Sequence, residues 1–228
     1  DALANKLNDK FDVNAVGFSV DITIESKVEA VSREIVSQFG KIDGLVNNAA
    51  NNPKVECTSE TNFSRLENFP LNVWNQDIAV GLTGSYLCIK YFGFQITKNK
   101  NGGSIVNISS DLGIIAPDQR LYEHEGVEHN QQDVKPITYS IVKSGLIGLT
   151  RYVATYWSDK NVRCNAMCPG GIENGQPEAF LNKVHERIPM NRMAQPNEYQ
   201  GTLIWMLSDA SSYLNGAIIS VDGGRTAW

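Results

Sequence analysis

Apolar residues along this chain alternate between short continuous runs and longer segments with helical spacing. The short runs are VGFSV (16–20), GLVNN (44–48), SIVNIS (104–109), VRCNAMC (162–168) and AIISV (217–221). Between the first two, apolar residues recur every three or four positions, at Val28, Val31, Ile35 and Phe39. Short runs of this kind predict buried strands, and the longer spacing predicts amphipathic helices. Their alternation predicts a mostly parallel sheet with helices on both faces.

Three further segments have helical spacing, and one long polar stretch interrupts the pattern. The helical segments lie around Trp74, Ile78, Leu82 and Ile89, between Thr138 and Trp157, and around Leu203, Ile204 and Leu207. The polar stretch, residues 117–136, is rich in Glu, His, Asn, Gln and Asp. A polar loop of this length in a compact domain is usually functional or disordered. We therefore predict one α/β domain over residues 1–228 with a polar insertion at 117–136.

Composition and charge narrow the classes of partner. The chain has 228 residues, with 20 basic and 25 acidic side chains and a net charge of −5. This balance favours a small-molecule partner over nucleic acid or an anionic membrane surface. No apolar run reaches the length of a membrane span and no secretion signal is evident at the start, so we expect a cytoplasmic protein. Neither a disulfide scaffold nor a metal site is predicted from Cys57, Cys88, Cys164 and Cys168.

The first candidates for chemistry are Tyr139 and Lys143. Residues four apart on a helix share one face, so the lysine ammonium can act on the tyrosine phenol. A phenol ordinarily titrates at about pH 10, and a nearby fixed cation lowers its pKa by favouring phenolate. Tyr139 could then act as a general acid or base. Taken alone, Tyr-x-x-x-Lys is more often an ordinary surface pair, so the residues around it decide whether a catalytic role is predicted.

That setting includes two serines at the end of a predicted strand. Ser109 and Ser110 close the run SIVNIS, and ligands normally meet a parallel sheet at the carboxyl ends of its strands. Adjacent strand residues point to opposite faces, so one serine can face the site, and we select Ser110. The alternative is that both hydroxyls cap the strand end through hydrogen bonds to nearby backbone.

With these residues in place, the chain resembles the short-chain dehydrogenase/reductase family along its whole length. Ser110, Tyr139 and Lys143 match the family's catalytic serine, tyrosine and lysine, and residues 221–224 match its C-terminal signature Val-Asp-Gly-Gly. The resemblance implies a Rossmann-like doubly wound parallel sheet and hydride transfer between NAD or NADP and a hydroxyl or carbonyl group. It also implies that Lys143 binds the nicotinamide ribose. Association as a homotetramer or homodimer through the two long helices is implied as well.

The resemblance extends to three cofactor-binding segments. Asp21 and Ile22 resemble the pair that contacts the adenine, residues 47–50 (Asn-Asn-Ala-Ala) resemble the turn beneath the cofactor, and residues 169–172 resemble the turn that meets the nicotinamide carboxamide. Each segment also has a purely structural interpretation, as a solvated carboxylate, a strand-end cap or a tight turn. The implied cofactor-binding residues are Asp21, Ile22, Asn48, Ala49, Pro169, Gly170 and Ile172, together with Tyr139 and Lys143.

The first departure from the family lies ahead of Asp21. The Gly-rich turn that binds pyrophosphate through backbone N–H groups and a helix N-terminus has no counterpart in the residues before it. We expect a domain truncated at the N-terminus, without its first strand-helix-strand, that binds cofactor poorly as written. Either that segment is omitted from this sequence or the protein is a fragment without catalysis. The first is favoured, because a sheet without its first strands exposes apolar edges.

Two other departures lie nearer the predicted catalytic residues. Gly81 stands where the family often has an asparagine that helps run a water relay to the lysine. The insertion lengthens the interval between Ser110 and Tyr139 beyond the family's usual spacing. We weigh two interpretations of it equally, a polar lid over the substrate and an ordinary solvated loop.

A narrower resemblance concerns the substrate. Residues 116–123, 174–178 and 222–228 are similar to the flagellin modification protein A subgroup, which implies a sugar-derived substrate. Two other functions stay open. One is a catalytically impaired binding or regulatory protein, suggested by the missing Gly-rich turn and Gly81. The other, less favoured, is a nucleotide-sugar epimerase or dehydratase, a class that shares Tyr-x-x-x-Lys but adds a C-terminal substrate domain.

Overall fold

A parallel sheet forms the centre of the computed structural model, which describes residues 2–51 and 63–228. Its strands are β1 (Gly44–Asn47), β2 (Gly103–Ile108), β3 (Val162–Pro169) and β4 (Ile218–Val221). They pair in the order β1-β2-β3-β4, and every pairing is parallel. Four of the five predicted strands and the parallel sheet are thereby confirmed.

The predicted strand at residues 16–20 is wrong, because this segment pairs with no strand among the described residues. An extended segment becomes a strand only when a neighbouring backbone takes up its N–H and C=O groups. Just before this segment, the backbone of Ala15 bonds to a side chain. The Ala15 N–H donates to Asn8 Oδ1 at 2.5 Å, and the Ala15 carbonyl accepts from Asn8 Nδ2 at 3.0 Å. The apolar side chain of Val20 instead packs against Val28 and Leu87.

Helices cover both faces of the sheet. They are α1 (Ala2–Phe11), α2 (Glu25–Phe39), α3 (Leu71–Ile78), α4 (Gly84–Cys88), α5 (Phe94–Ile96), α6 (Ile137–Tyr156), α7 (Glu178–His185) and α8 (Gln200–Leu207). Two π-helical segments, Ala79–Thr83 and Ile89–Gly93, join α3, α4 and α5 into one continuous helical run. The predicted helices are confirmed, whereas α7 lies in a polar segment for which no helix was predicted.

The core is divided between the two faces of the sheet. Ile105 packs with Ile96 and Val153 on the face covered by α5 and α6, whereas its neighbour Val106 packs with Met206 of α8 on the other face. Successive strand residues point to opposite faces, so a continuous apolar run supplies both layers. Full burial of each such side chain contributes roughly 1.5–3 kcal/mol. This arrangement confirms the predicted doubly wound α/β fold.

Buried amides join the carboxyl end of β1 to that of β2. Asn47 Nδ2 donates to Asn107 Oδ1 at 2.8 Å, and Asn107 Nδ2 donates to Thr150 Oγ1 on α6 at 2.8 Å. A buried amide is tolerated only when its polar atoms have partners, so this series of hydrogen bonds fixes the two strand ends and α6 relative to each other.

Within residues 2–51 and 63–228, no helix combines the length and apolarity that crossing a bilayer requires.

Candidate active site

The two serines at the end of β2 point in different directions. Ser109 Oγ donates to the main-chain carbonyl of Lys143 at 2.7 Å and so ties the strand to α6. Ser110 caps the short 3-10 turn Asp111–Gly113, where its Oγ accepts from the N–H of Leu112 at 3.2 Å. The Ser110 hydroxyl lies beside the phenol of Tyr139, close enough to lower the pKa of that phenol. The alternation predicted from the strand pattern therefore holds, and Ser110 is the serine beside the tyrosine.

A close approach at Gly113 makes this arrangement possible, and this residue was not among the predicted site residues. A Cβ placed on Gly113 would lie 2.5 Å from Ser109 Oγ and 2.9 Å from the carbonyl of Lys143. Any side chain at this position would therefore push the strand end away from α6. The signal that could have indicated the contact is a glycine three residues after the strand-end Ser-Ser pair.

Lys143 lies one helical turn after Tyr139 and is almost fully buried. Its Nζ donates to the carbonyl of Ile108, the last residue of β2, at 2.8 Å and lies 5.8 Å from the centre of the Tyr139 ring. Burial lowers the pKa of the Lys143 ammonium. The lysine is thus held by the strand end and reaches the edge of the tyrosine.

Burial is the largest influence on the pKa of the Tyr139 phenol and raises it. The neighbouring Ser110 hydroxyl lowers this pKa, and the carboxylate of Asp111 raises it. We expected Lys143 to bring this pKa below its ordinary value, and in this state of the protein that expectation is wrong. The reason is that the ammonium is directed to the Ile108 carbonyl while the ring is removed from water. Tyr139 therefore holds its proton at neutral pH.

Sequence reasoning missed a second lysine beside the tyrosine. Lys135 Nζ lies 3.8 Å from the centre of the Tyr139 ring, closer than Lys143. A cation over an aromatic face is stabilised by the ring's electron density. Burial lowers the pKa of Lys135 to about 8, although Asp111 acts against that shift. Lys135 lies before α6 and is separated from it by Pro136, so helical spacing does not predict its approach to Tyr139.

Two of the predicted cofactor segments lie at the carboxyl edge of the sheet, next to the tyrosine and lysine. Asn48 and Ala49 follow β1 and are exposed, and the next two residues, Ala50 and Asn51, line a small cavity with Tyr139 and Lys143. This edge is where open α/β sheets bind their ligands. Because Asn48 and Ala49 adjoin this cavity, they and Lys143 are the residues that would hold the nicotinamide end of a bound dinucleotide.

The turn after β3 is fixed by hydrogen bonds on both sides. Gly170 N–H donates to the carbonyl of Val221 at 2.9 Å, and its own carbonyl accepts from the Tyr199 hydroxyl at 2.9 Å. Ile172 forms an isolated parallel bridge with Ala194. Pro169, Gly170 and Ile172 are therefore held at the same edge of the sheet as the tyrosine and lysine.

Asp21 and Ile22 lie apart from these residues, beside α2 at the β1 edge of the sheet. The carboxylate of Asp21 is exposed and accepts from both the N–H and the hydroxyl of Thr23, and these bonds lower its pKa. Ile22 packs against α4, where a Cβ on Gly84 would lie 2.7 Å from its Cδ1. The Ile22 side chain thus contributes to packing, whereas the Asp21 side chain is exposed to solvent.

The structure explains the glycine at position 81. A Cβ on Gly81 would lie 2.5 Å from Cγ1 of Val142, the residue before Lys143. The valine fills the space that a longer side chain from Gly81 would need. The same cavity contains Asp77, whose carboxylate accepts from the Thr138 hydroxyl at 2.5 Å. A buried carboxylate and hydroxyl therefore stand beside the tyrosine and lysine.

The polar insertion is folded and docks on α7. Leu121 is buried against Val184 and Ile188, and the carboxylate of Asp118 accepts from Arg187 Nε at 2.6 Å. The two arginines bonded to Asp118, Arg187 and Arg120, hold the pKa of that carboxyl well below its usual range. The insertion also carries Lys135 to the tyrosine, so it forms one side of the site.

Several known proteins are similar to this chain. The family model described as enoyl-(acyl carrier protein) reductase matches residues 1–226. An uncharacterized oxidoreductase of Thermotoga maritima is 32% identical over 216 residues, covering 90% of this chain and 75% of the relative. An NADP-dependent mannitol dehydrogenase of Alternaria alternata is 28% identical over 230 residues, covering 97% of this chain and 75% of the relative.

The fold is shared with a solved structure as well. A gluconate 5-dehydrogenase from Burkholderia cenocepacia, crystallised with NADP and tartrate, superposes with a TM-score of 0.84 at 24% identity, covering 100% of this chain and 81% of the other. The chain belongs to the short-chain dehydrogenase/reductase family. It is an oxidoreductase of a family that uses NAD or NADP on alcohol and ketone groups.

Gly81→Asn tests the packing of the cavity against Val142. We expect this variant to lose about 1–3 kcal/mol of unfolding free energy, because the new side chain overlaps the valine methyl groups. Urea unfolding of Gly81→Asn, Val142→Ala and the double variant measures the coupling between the two positions. The double variant should be more stable than the sum of the two single losses predicts. Strictly additive losses would contradict the proposed overlap.

Proposed function

We propose that the protein transfers hydride between NAD or NADP and a secondary hydroxyl or carbonyl group, with Tyr139 as the proton donor and acceptor. The observation that carries this proposal is the convergence of Ser110, Tyr139 and Lys143 at the end of β2. When bound, the nicotinamide supplies or accepts the hydride. Protein side chains carry out the remaining steps, which are proton exchange and orientation of the reacting groups.

Tyr139 exchanges the proton of the reacting oxygen. Because burial raises its pKa, the phenol is protonated at neutral pH and suits the reducing direction, in which a carbonyl oxygen gains a proton. In the oxidising direction it must first ionise. The two lysines beside the ring, Lys135 and Lys143, then stabilise the phenolate electrostatically.

Ser110 and Lys143 orient the two reacting partners. The Ser110 hydroxyl lies beside the phenol and can hold the substrate oxygen within reach of it. Lys143 is anchored by the Ile108 carbonyl at the cavity that Asn51 also lines, a place from which an ammonium can bind a ribose hydroxyl. We assign Asn48, Ala49, Pro169, Gly170 and Ile172 to the nicotinamide side of the cofactor and Asp21 and Ile22 to its adenine side.

Tyr139→Phe tests the proton-transfer role in the full-length protein. We expect kcat for NAD(P)-dependent alcohol oxidation to fall by about 10²–10⁴-fold, because the proton of the reacting oxygen loses its acceptor. Tyr152→Phe, at an exposed position on α6, is the matched control and should keep normal turnover. Steady-state kinetics with NAD and with NADP supply the measurement. Unchanged turnover in Tyr139→Phe would overturn the proposed mechanism.

For the substrate we propose a polyhydroxylated, sugar-derived compound, as in the flagellin modification protein A resemblance. The mannitol dehydrogenase relative acts on a polyol by its name. The insertion adds polar groups beside the site, and hydrogen bonds of the Gln132 side chain close its residues 123–132 into a loop. Gln132 Nε2 donates to the carbonyls of His124 and Val127 at 3.0 and 2.6 Å. These observations support the interpretation of residues 123–132 as a polar lid over such a substrate.

Deletion of residues 123–132 tests the lid. The deletion removes a segment that the hydrogen bond from the His124 N–H to Gln132 Oε1, 2.7 Å long, closes near its two ends. For a polyol substrate we expect KM to rise roughly fivefold, about 1 kcal/mol of binding, with kcat little changed. Lys100→Ala, at an exposed position outside the insertion, is the control. An unchanged KM would exclude the lid.

We also propose a cytoplasmic homotetramer or homodimer joined through α4, α5 and α6. Exposed aromatic side chains lie along these helices, among them Tyr86, Phe94, Tyr152 and Tyr156. The rings of Tyr152 and Tyr156 stack on each other with centroids 5.6 Å apart. A surface of this apolar character is typical of an interaction site.

Tyr152→Glu tests the proposed interface. A carboxylate in the centre of an apolar contact must be desolvated without a partner, so we expect dissociation to smaller species. Sedimentation velocity over a concentration series gives the measurement, and Leu3→Glu on the exposed face of α1 is the control. If Tyr152→Glu sediments like the unaltered protein, this face is not the interface.

A further inference from the structure

A buried ion pair stands directly behind the serine of the site. The carboxylate of Asp111 accepts from Ser110 Oγ at 2.7 Å through one oxygen and from Arg225 at 2.9 Å through the other. The side chains of Asp111 and Arg225 are only 4% and 11% exposed. The proposed hydride-transfer chemistry uses neither of them.

Arg225 reaches this position through a turn that Asp222 organises. The carboxylate of Asp222 accepts from the N–H groups of Gly224 and Thr226, both at 2.9 Å. Gly223 and Gly224 have φ values of +65° and +90°, which side-chain-bearing residues rarely adopt. The Asp-Gly-Gly turn therefore bends the chain so that the next residue points at the end of β2.

We propose that Asp111 and Arg225 form a positioning pair that directs the Ser110 hydroxyl and balances the charge beside the Tyr139 phenol. This inference rests on the proposed function of Ser110 and Tyr139. A serine hydroxyl has a single proton, and here that proton is donated to Asp111. One lone pair of Ser110 Oγ accepts from the Leu112 N–H, so the other is left for the phenol, and a substrate oxygen must draw the proton away from Asp111.

Arg225 moderates how strongly Asp111 acts. An unpaired carboxylate at this depth would hold the serine proton firmly and would oppose ionisation of the phenol by like charge. The guanidinium of Arg225 offsets that charge through its 2.9 Å contact with the Asp111 carboxylate. The pair can thus orient the serine without preventing formation of the phenolate.

Other charged and titratable groups surround the phenol and set the background for this effect. Lys143 comes from α6 and Lys135 from the loop before it. Tyr122, from the insertion, interacts electrostatically with Arg225, Tyr139 and Asp111. None of these groups changes in the variants below, so a displaced pH profile reports the pair itself.

The test compares Asp111→Asn, Arg225→Met and the double variant in alcohol oxidation, with kcat/KM measured against pH. Activity rises with pH as the phenol ionises. Arg225→Met leaves the carboxylate uncompensated, so that rise should move to higher pH by about one unit. Asp111→Asn leaves the guanidinium uncompensated, and the rise should move to lower pH by a similar amount. The double variant should show a pH profile close to that of the unaltered protein. Arg225→Lys keeps a positive charge, so its profile should be displaced less than that of Arg225→Met.

A purely structural pair would give a different result. Arg163 is the control, since it donates to the backbone carbonyls of Met206, Ser208 and Leu214 near the start of β3. Arg163→Met should lower the melting temperature without moving the pH profile. The proposal fails if the two single variants shift the profile in the same direction or leave it in place. Failure of the proposed function is distinguished by retained turnover in Tyr139→Phe.

Discussion

The contact between the end of β2 and α6 is the constraint on which the site depends. The Ser109 hydroxyl holds the carbonyl of Lys143, and Gly113 allows the two backbones to come this close. Because the hydroxyl of the next serine must then face the other way, Ser110 meets the tyrosine of the same helix. One hydrogen bond and one missing Cβ thereby decide which serine lies beside the tyrosine.

Desolvation shapes the chemistry of the groups that this contact brings together. The same burial raises the pKa of Tyr139 and lowers that of Lys143 and Lys135, so each group is moved toward its neutral form. Proton exchange at neutral pH therefore depends on the charges placed around the ring. Two lysines, one carboxylate and one arginine supply them, and the arginine comes from the far end of the chain.

The insertion is an integral part of this arrangement. Its first half packs on α7 through Leu121 and the Asp118 carboxylate, and its last residues carry Lys135 over the tyrosine ring. Residues 123–132 between them are closed by the side chain of Gln132. A segment fixed at both ends and polar in the middle can give a shared fold its own substrate preference.

The sequence by itself determined the parallel sheet and most of its helices, α7 excepted, because apolar spacing is a local property. Four-residue helical spacing and the family resemblance predicted Ser110, Tyr139 and Lys143 as the candidate catalytic residues. It failed at residues 16–20, since strand formation depends on a neighbouring backbone that local sequence cannot supply. Tertiary structure alone decided the pKa direction of Tyr139, the approach of Lys135 and the pairing of Asp111 with Arg225. Burial and contacts between distant residues arise only when the chain has folded, and no local pattern encodes them.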